Sequence, residues 1–416
     1  MVLDEVMLNS RRIKRRTLLH WMAASLTGAI LPARAEGKSI RVGVPTATQL
    51  TSGRDCIDSV RLAIDEINAR GGVLDRALEM VSIDESGSAE AAISAIRKLT
   101  TEDKVDVIIG GHSSAATLAQ LPYIAQARTI YISVAGASPA ITQRVAKEYD
   151  KYRYVFRASP LNAAHQAQAL ADFISGYVIG EVGAQRLAFV GENAKWVQEL
   201  VPILTRAAAA GGADVRMAEI FDSQTKDFGA VLAKVRDSGA QFLVLIVSQA
   251  ASDMLVEQWY DAKMPFALGG IDVKSMDADF YRSVNGKSIS QITGNLAVPA
   301  PITPKTLSYW DTFARRTGRP APSYTGPGAY DAVYVYAEAV RRAQSTEADA
   351  VLKELERTDY LGVTGRIRFD ENHDVRAGQG LVSFPFVQWQ DKGERVIVWP
   401  RELRNGRGIL PPWFKR

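Results

Sequence analysis

The run Gly110-Gly111-His112-Ser113-Ser114 places flexible backbone, hydroxyl groups and an imidazole directly after an apolar segment that favours a strand. Glycine lets the backbone approach a ligand closely. Free N–H groups at the start of a helix, together with serine hydroxyls, can bind a carboxylate. A plain turn in which a serine caps the helix would use the same residue types. The local sequence alone therefore leaves an anion site and a helix cap both open.

His112 beside two serines also raises the question of nucleophilic catalysis. Neighbours on one turn need not reach each other, and the run 111–115 lacks the second glycine of a nucleophile elbow. His165 and His373, the other histidines after residue 35, show no metal-ligand spacing. No Walker-type lysine and no Gly-x-Gly-x-x-Gly element follow the first predicted strand. We expect a binding protein without catalysis, cofactor or metal.

Two pairs of neighbouring acids, Asp65-Glu66 and Asp84-Glu85, could take part in acid/base chemistry. The first pair lies in a predicted helix and the second at the end of a predicted strand. Acids in such places are usually solvated, and we expect a solvated helix face and a solvated strand end.

Short apolar runs alternate with longer amphipathic runs in the first half of the chain, which predicts strands separated by helices. Strands joined by helical crossovers form a parallel sheet that is covered on both faces. The predicted strands are Ile40–Val44, Leu78–Asp84, Val105–Ile109 and Thr129–Ser133, and the predicted helices are Asp55–Ala69, Ala89–Thr100 and Thr117–Gln126.

The same alternation restarts after Ser159-Pro160, where Asn162 can cap the next helix. The predicted helices are Ala163–Tyr177, Trp196–Ala210, Phe228–Asp237 and Ser252–Ala262, and the predicted strands are Arg186–Val190, Val215–Phe221 and Phe242–Val247. The fold class is therefore α/β, with two doubly wound parallel-sheet lobes.

A different pattern follows Pro299 and Pro301. It predicts a helix at Pro304–Thr317, a loop at Arg319–Gly328, a helix at Ala329–Gln344, strands at Thr364–Phe369 and Leu381–Trp389, and an irregular tail from residue 401 to 416.

Residues 1–35 have the form of a signal peptide. Five basic residues between Arg11 and Arg16 precede an apolar run from Leu18 to Leu31, and Ala33-Arg34-Ala35 is a small-x-small cleavage site. The arginine pattern resembles a twin-arginine signal, although ordinary signals also contain extra arginines. A bilayer core needs about 20 apolar residues, and this run is shorter. We expect cleavage near Ala35 and a periplasmic protein.

Cleavage also changes the charge. The chain has 50 Lys or Arg and 46 Asp or Glu; the leader holds six and two of them, which leaves 44 of each sign. The pI of about 9.0 thus describes the precursor, and a nucleic acid is not an expected partner. The lone Cys56 cannot form an intrachain disulfide.

Nearly all of the sequence after residue 35 resembles the periplasmic leucine/isoleucine/valine-binding proteins. An asparagine followed by a double glycine and a Tyr-Asp-Ala triplet, in that order and spacing, are together specific. The matching segments are 40–44 (IRVGV), 63–72 (AIDEINARGG), 107–114 (VIIGGHSS), Ile132-Ser133, Ser138-Pro139, Ile141-Thr142, Phe156-Arg157, Lys226-Asp227-Phe228 and Tyr330-Asp331-Ala332.

The resemblance implies a type I periplasmic binding fold, in which two lobes are joined by three hinge crossings. The crossings would fall near Ala158, at Leu296–Val298 and within Asp370–Gly380. Lobe I would comprise residues 36–158 and 298–370, and lobe II residues 159–297 and 371–400. A small solute would bind between the lobes and favour the closed form.

The resemblance also implies ligand-binding positions. Ser114, with Ala115 beside it, would bind the carboxylate. Ala135 and Ala137 stand where relatives have a backbone contact and a threonine hydroxyl for the ligand's amine, so that hydroxyl is missing. Trp196 stands in place of a tyrosine, and Asp272, to within one residue, would be the acid for the ammonium. Ser248 or Gln249, and Ser52, stand at positions that are aromatic in relatives. Each of these could instead be packing or solvated loop.

The missing threonine leaves two kinds of ligand open. A buried ammonium without partners is costly. The ligand is then either a hydrophobic or neutral amino acid that relies on Asp272, or an amine-free organic acid, which could be aromatic and lie against Trp196. We expect a monomer that delivers this ligand to the permease of a membrane ABC importer. A sensor subunit for a membrane receptor is the alternative.

Overall fold

The structure is a computed structural model that describes residues 37–86, 88–248, 250–294, 298–320 and 323–414. The predicted signal peptide, residues 1–35, lies outside the described residues. Within the described part of the chain, no helix combines the length and apolar character needed to span a bilayer.

Five parallel strands form the first sheet, in the order β2-β1-β3-β4-β5. They are β1 (Ile40–Thr46), β2 (Leu78–Asp84), β3 (Val107–Gly110), β4 (Ile130–Ser133) and β5 (Val155–Arg157). The connecting helices are α1 (Thr51–Ala69), α2 (Ala89–Arg97), α3 (Ser114–Ala127), α4 (Ala140–Lys147) and α5 (Tyr149–Tyr152).

Alternation of side chains along β3 covers both faces of this sheet. Val107 and Ile109 belong to one hydrophobic cluster, while Ile108 belongs to another on the opposite face. All three are fully buried, which explains why the strand is a continuous apolar run in the sequence.

The second sheet has seven strands in the order β14 (Arg395–Trp399), β13 (Phe386–Trp389), β10, β9, β8, β6 and β7. Its parallel part comprises β6 (Arg186–Glu192), β7 (Asp214–Phe221), β8 (Phe242–Val247), β9 (Ala267–Asp272) and β10 (Ile292–Gly294). The helices here are α6 (Ala163–Phe173), α7 (Lys195–Ala210), α8 (Gly229–Asp237), α9 (Ser252–Asp261) and α10 (Phe280–Ser283).

The last part of the chain returns to both sheets. Three helices, α11 (Thr306–Thr317), α12 (Thr325–Ala343) and α13 (Ala348–Glu356), precede the small antiparallel pair β11 (Tyr360–Leu361) and β12 (Arg366–Ile367). α11 and α12 pack against α1, beside the first sheet. Two strands then extend the second sheet: β13 (Phe386–Trp389) pairs antiparallel with β10, and β14 (Arg395–Trp399) pairs antiparallel with β13. The α/β fold class is as predicted, with this antiparallel edge added.

The structure corrects several predicted elements. The predicted loop Arg319–Gly328 ends earlier, because α12 already begins at Thr325. The predicted strands at Thr364–Phe369 and Leu381–Trp389 shrink to β12 and β13. The tail after residue 400 is largely irregular, as expected, but it is packed: Trp413 donates from Nε1 to the carbonyl of Met264 at 2.8 Å.

A buried ion pair joins Arg157 of β5 to Asp374, and the same guanidinium also binds a loop of the cavity described below. The guanidinium of Arg157 binds the carboxylate of Asp374 through Nε at 2.9 Å and Nη2 at 2.7 Å. Its Nη1 donates to the carbonyls of Gly136 and Ser138 at 2.8 and 2.9 Å. Neither Arg157 nor Asp374 is more than 2% exposed. Burial raises the pKa of Asp374, but the charge and hydrogen bonds of Arg157 outweigh it and the net shift is downward.

We predict that Asp374→Asn lowers the free energy of unfolding by about 3 to 5 kcal/mol, because it leaves the Arg157 charge buried without a counterion. Since the pKa of Asp374 is lowered on folding, this stabilisation is present above the ordinary aspartate pKa and is lost as the pH falls through the lowered value. Urea unfolding at pH 7 measures the loss. Asp261→Asn, which breaks the exposed pair with Lys287, is the control and should cost far less, because water screens an exposed pair. Equal losses would contradict the assignment.

Glu85 lies directly after β2 but is only 1% exposed, so the expectation of a solvated strand end is wrong for this residue. Its Oε2 accepts a hydrogen bond from Gln120 Nε2, while its Oε1 has no partner among the described residues. Burial raises the pKa of Glu85 to about 7, against a smaller opposing effect of the Gln120 hydrogen bond.

We predict that Glu85→Gln stabilises the protein in a pH-dependent way. Because the folded pKa of about 7 lies above the ordinary value of 4.5, the wild type loses stability as the pH rises between these values. The shift corresponds to about 3 kcal/mol. The variant should therefore gain about that amount over the wild type at pH 8 relative to pH 4.5 in urea unfolding. A pH-independent difference would show that Glu85 does not titrate in this way.

Candidate functional site

A cavity of about 290 Å³ lies where the carboxyl ends of strands from both sheets meet. One wall comes from residues that follow β1, β3 and β4, and the other from residues that follow β6, β7, β8 and β9. Ligands of open α/β sheets collect at such strand ends. The lining includes Ser52, Ser113, Ser114, Ala115, Ala135 and Ala137 on one side and Asn193, Lys195, Trp196, Ser223, Ser248 and Ile271 on the other.

The N termini of three long helices supply part of this lining. α3 contributes Ser113–Ala115, α1 contributes Leu50 and Ser52, and α7 contributes Ala194–Trp196. The first N–H groups of a helix have no intrahelical acceptor, and the helix dipole adds positive potential at the same end. The cavity is therefore electrostatically suited to an anion.

The sequence left open whether these residues form a helix cap or an anion site, and in the structure Ser113 and Ser114 have different partners. Ser113 is the cap of α3, because its Oγ accepts a hydrogen bond from the N–H of Ala116 at 3.2 Å. Ser114 Oγ instead accepts from the N–H groups of Ala137 and Ser138 at 3.1 and 3.0 Å. Its hydroxyl proton is then left to donate, and the side chain lines the cavity. Ser114 can thus offer a hydrogen bond to a carboxylate.

Ala135 and Ala137 both lie in the cavity wall and present only methyl groups. The N–H of Ala137 is bonded to Ser114, and its carbonyl accepts from Ala163 at 2.7 Å. Among the described residues, the N–H of Ala135 has no acceptor, so it remains available for a ligand. Neither alanine supplies a hydroxyl that could accept a hydrogen bond from an amine.

Trp196 forms an aromatic part of the opposite wall, and its only polar atom is already bonded within the protein. Its Nε1 donates to Ser248 Oγ at 3.3 Å. Ser248 Oγ in turn donates to Glu192 Oε1, and Glu192 also accepts from the N–H groups of Ser248 and Ala250, each at 2.8 Å. This chain holds the indole in place and leaves its ring for the ligand.

Asp272 is the acid that the family resemblance assigns to a ligand ammonium. It is 2% exposed and does not line the cavity, although Ile271 and Val273 beside it do. Its carboxylate accepts from Ser252 Oγ at 2.7 Å and from Gln291 Nε2 at 2.9 Å. Burial raises the pKa of Asp272 to about 6, partly opposed by these hydrogen bonds. Its ligand-binding role stays a prediction, and in this structure Asp272 organises the end of β9. Gln249, the other uncertain position, lies outside the described residues.

Several lining residues were not found from the sequence as ligand contacts. His112 lines the cavity, and burial lowers its pKa, which favours the neutral imidazole. Tyr324, Met276 and Phe384 add apolar and aromatic surface. Tyr324 fell in a predicted loop, and Phe384 in a predicted strand. A prediction that α12 starts at residue 325 would have placed Tyr324 at a helix N terminus and marked it as a candidate contact.

A family model described as a periplasmic binding protein matches residues 41–394. The leucine-, isoleucine-, valine-, threonine- and alanine-binding protein of Pseudomonas aeruginosa is 23% identical over 350 residues, which cover 81% of this chain and 85% of that protein.

Two solved structures have similar folds. One is a branched-chain amino acid transporter substrate-binding protein from Streptococcus pneumoniae in complex with isoleucine, with a TM-score of 0.74, 19% identity, and coverage of 87% of this chain and 100% of that one. The other is a solute-binding protein of an ABC transporter from Rhodopseudomonas palustris in complex with 3,4-dihydroxybenzoic acid, with a TM-score of 0.74, 18% identity, and coverage of 90% and 99%.

The family match spans most of the chain and includes the first sheet, the second sheet except β14, and the residues that line the cavity. Members of such a family bind solutes rather than convert them, which confirms the prediction of a non-enzymatic protein. The chain belongs to the periplasmic binding protein family.

Proposed function

We propose that this protein captures a small carboxylate-bearing solute between its two lobes and delivers it to the permease of an ABC importer. The observation that supports this most is the set of three helix N termini, from α1, α3 and α7, at one cavity. Each N terminus offers unpaired N–H groups and positive potential to an anion. The hydroxyl of Ser114 adds a further donor.

The named relatives are consistent with such a ligand. One binds branched-chain and small amino acids, one contains isoleucine and one contains 3,4-dihydroxybenzoic acid. All of these compounds share a carboxylate on a small organic body, which is apolar in leucine, isoleucine and valine. The common feature fits a wall with anion donors facing a wall with apolar and aromatic groups.

The proposed mechanism uses closure of two lobes, 36–158 with 298–370 and 159–297 with 371–400. A ligand that contacts both walls binds the closed form better and shifts the population toward it. The closed form would then be the one that docks on the permease. The protein would act as a periplasmic monomer, released from its leader near Ala35.

A direct test is to purify the protein from its native host and to identify co-purified small molecules by mass spectrometry. We expect a carboxylic acid that raises the melting temperature when it is added back, because a ligand of the folded state stabilises it by mass action. Uptake of that compound should be lost on deletion of the gene. A compound that is chemically converted by the protein would contradict the proposal.

We predict that Ser114→Ala weakens binding of this carboxylate about tenfold to a hundredfold, because it removes a donor to a charged group. Isothermal titration calorimetry measures the change. Ser88→Ala is the matched control, since Ser88 caps α2 outside the cavity lining and should alter stability but not affinity. Wild-type affinity in Ser114→Ala would remove Ser114 from the site.

A further inference from the structure

We infer that the ligand is an aromatic carboxylate without an amino group, an inference that rests on the proposed function and names its substrate class. The cavity presents donors for one anion and an aromatic wall, while the acidic residues near it are turned to other partners.

The positions of the acidic residues support the inference that the ligand has no amino group. A buried ammonium needs an anionic partner or several acceptors. Asp272 is outside the lining and is bonded to Ser252 and Gln291. Glu192 belongs to the cavity wall, but none of its surface is exposed. Its oxygens accept from Ser248 and from the N–H of Ala250.

No other acid occurs among the described residues that line this cavity. Ala137 offers a methyl group, and Ser248 Oγ already donates to Glu192 and accepts from Trp196. A carbonyl such as that of Ala135 is a neutral acceptor and does not replace a carboxylate. An α-amino acid would therefore bury its ammonium without an anionic partner.

The charges that do reach the cavity favour an anion. Lys195 lies in the lining, with its ammonium 3.1 Å from Glu199, and its side chain is 46% exposed. The N termini of α1, α3 and α7 add positive potential. A monoanionic acid complements this field better than a zwitterion, whose positive group would oppose it.

The aromatic residues of the cavity wall support the inference that the ligand is aromatic. Trp196, Tyr324 and Phe384 all line the cavity, so three rings are available to an aromatic ligand. Aromatic rings gain from offset or edge-to-face contact with one another beyond the area that they bury. The indole of Trp196 is fixed through Ser248 and Glu192, which makes it a rigid surface for a ligand ring.

The test compares acids that differ from amino acids only by the amine. Calorimetry on the purified full mature chain would use 3-phenylpropanoate against L-phenylalanine, and 4-methylpentanoate against L-leucine. We expect each deaminated acid to bind at least tenfold more tightly than its amino acid, and 3-phenylpropanoate to bind more tightly than 4-methylpentanoate.

The outcomes separate this inference from the proposed function. If either amino acid binds as tightly as its deaminated partner, the amine-free assignment is wrong while carboxylate capture stands. If 4-methylpentanoate binds more tightly than 3-phenylpropanoate, the aromatic assignment is wrong. If none of the four compounds binds, both the inference and the proposed capture of these carboxylates fail.

Trp196 variants provide a second readout. Trp196→Leu removes the ring, whereas Trp196→Phe keeps a ring and removes the indole N–H. We expect Trp196→Leu to weaken 3-phenylpropanoate at least tenfold and 4-methylpentanoate less than threefold, and Trp196→Phe to weaken 3-phenylpropanoate less than Trp196→Leu does. Equal losses for the two acids in Trp196→Leu would contradict ring contact.

Discussion

Parallel strands bring the N termini of the helices that follow them to one edge of a sheet, and this protein places two such edges around one cavity. The unpaired N–H groups of α1, α3 and α7 are therefore a consequence of the topology, not of any single residue. Side chains refine the site: Ser113 closes the first turn of α3, which frees Ser114 to face a ligand.

Both walls of the cavity are held in place by buried ionic groups. On one side, Arg157 and Asp374 fix the carbonyls of the loop that contains Ala137. On the other, Glu192 gathers Ser248 and Ala250 and, through Ser248, orients Trp196. Buried charges are tolerated when they are fully hydrogen-bonded, and here they make each wall rigid. The carboxylate of Glu192, which could have met a ligand amine, is used to hold this wall.

Periodicity was enough to predict the α/β class and most strands of the parallel sheets, because buried strands such as β3 and β8 are continuous apolar runs. It failed for β9, whose Gly269-Gly270 lacks β-forming side chains; Gly270 has φ +136°, and an added Cβ would meet the carbonyl oxygen of Leu245. The first turn of α1 was also missed, since Thr51-Ser52-Gly53 has no apolar periodicity.

The residues of the candidate site could likewise be predicted only in part from the sequence. Ser114 was found because it stands in a local pattern at a helix start. The role of Glu192 could not be read from the sequence, since its partner Ser248 is 56 residues away along the chain. Asp272 was placed in the site by family register, but a side chain at the end of a strand can turn into the core or toward the cavity, and only the packing around it decides.

The most direct test of the account is a crystal structure of the protein with its bound carboxylate. The account predicts one carboxylate oxygen within about 2.7 to 3.2 Å of Ser114 Oγ and of a first-turn N–H of α3, with the body of the ligand against Trp196. A carboxylate bound away from the N terminus of α3 would contradict it.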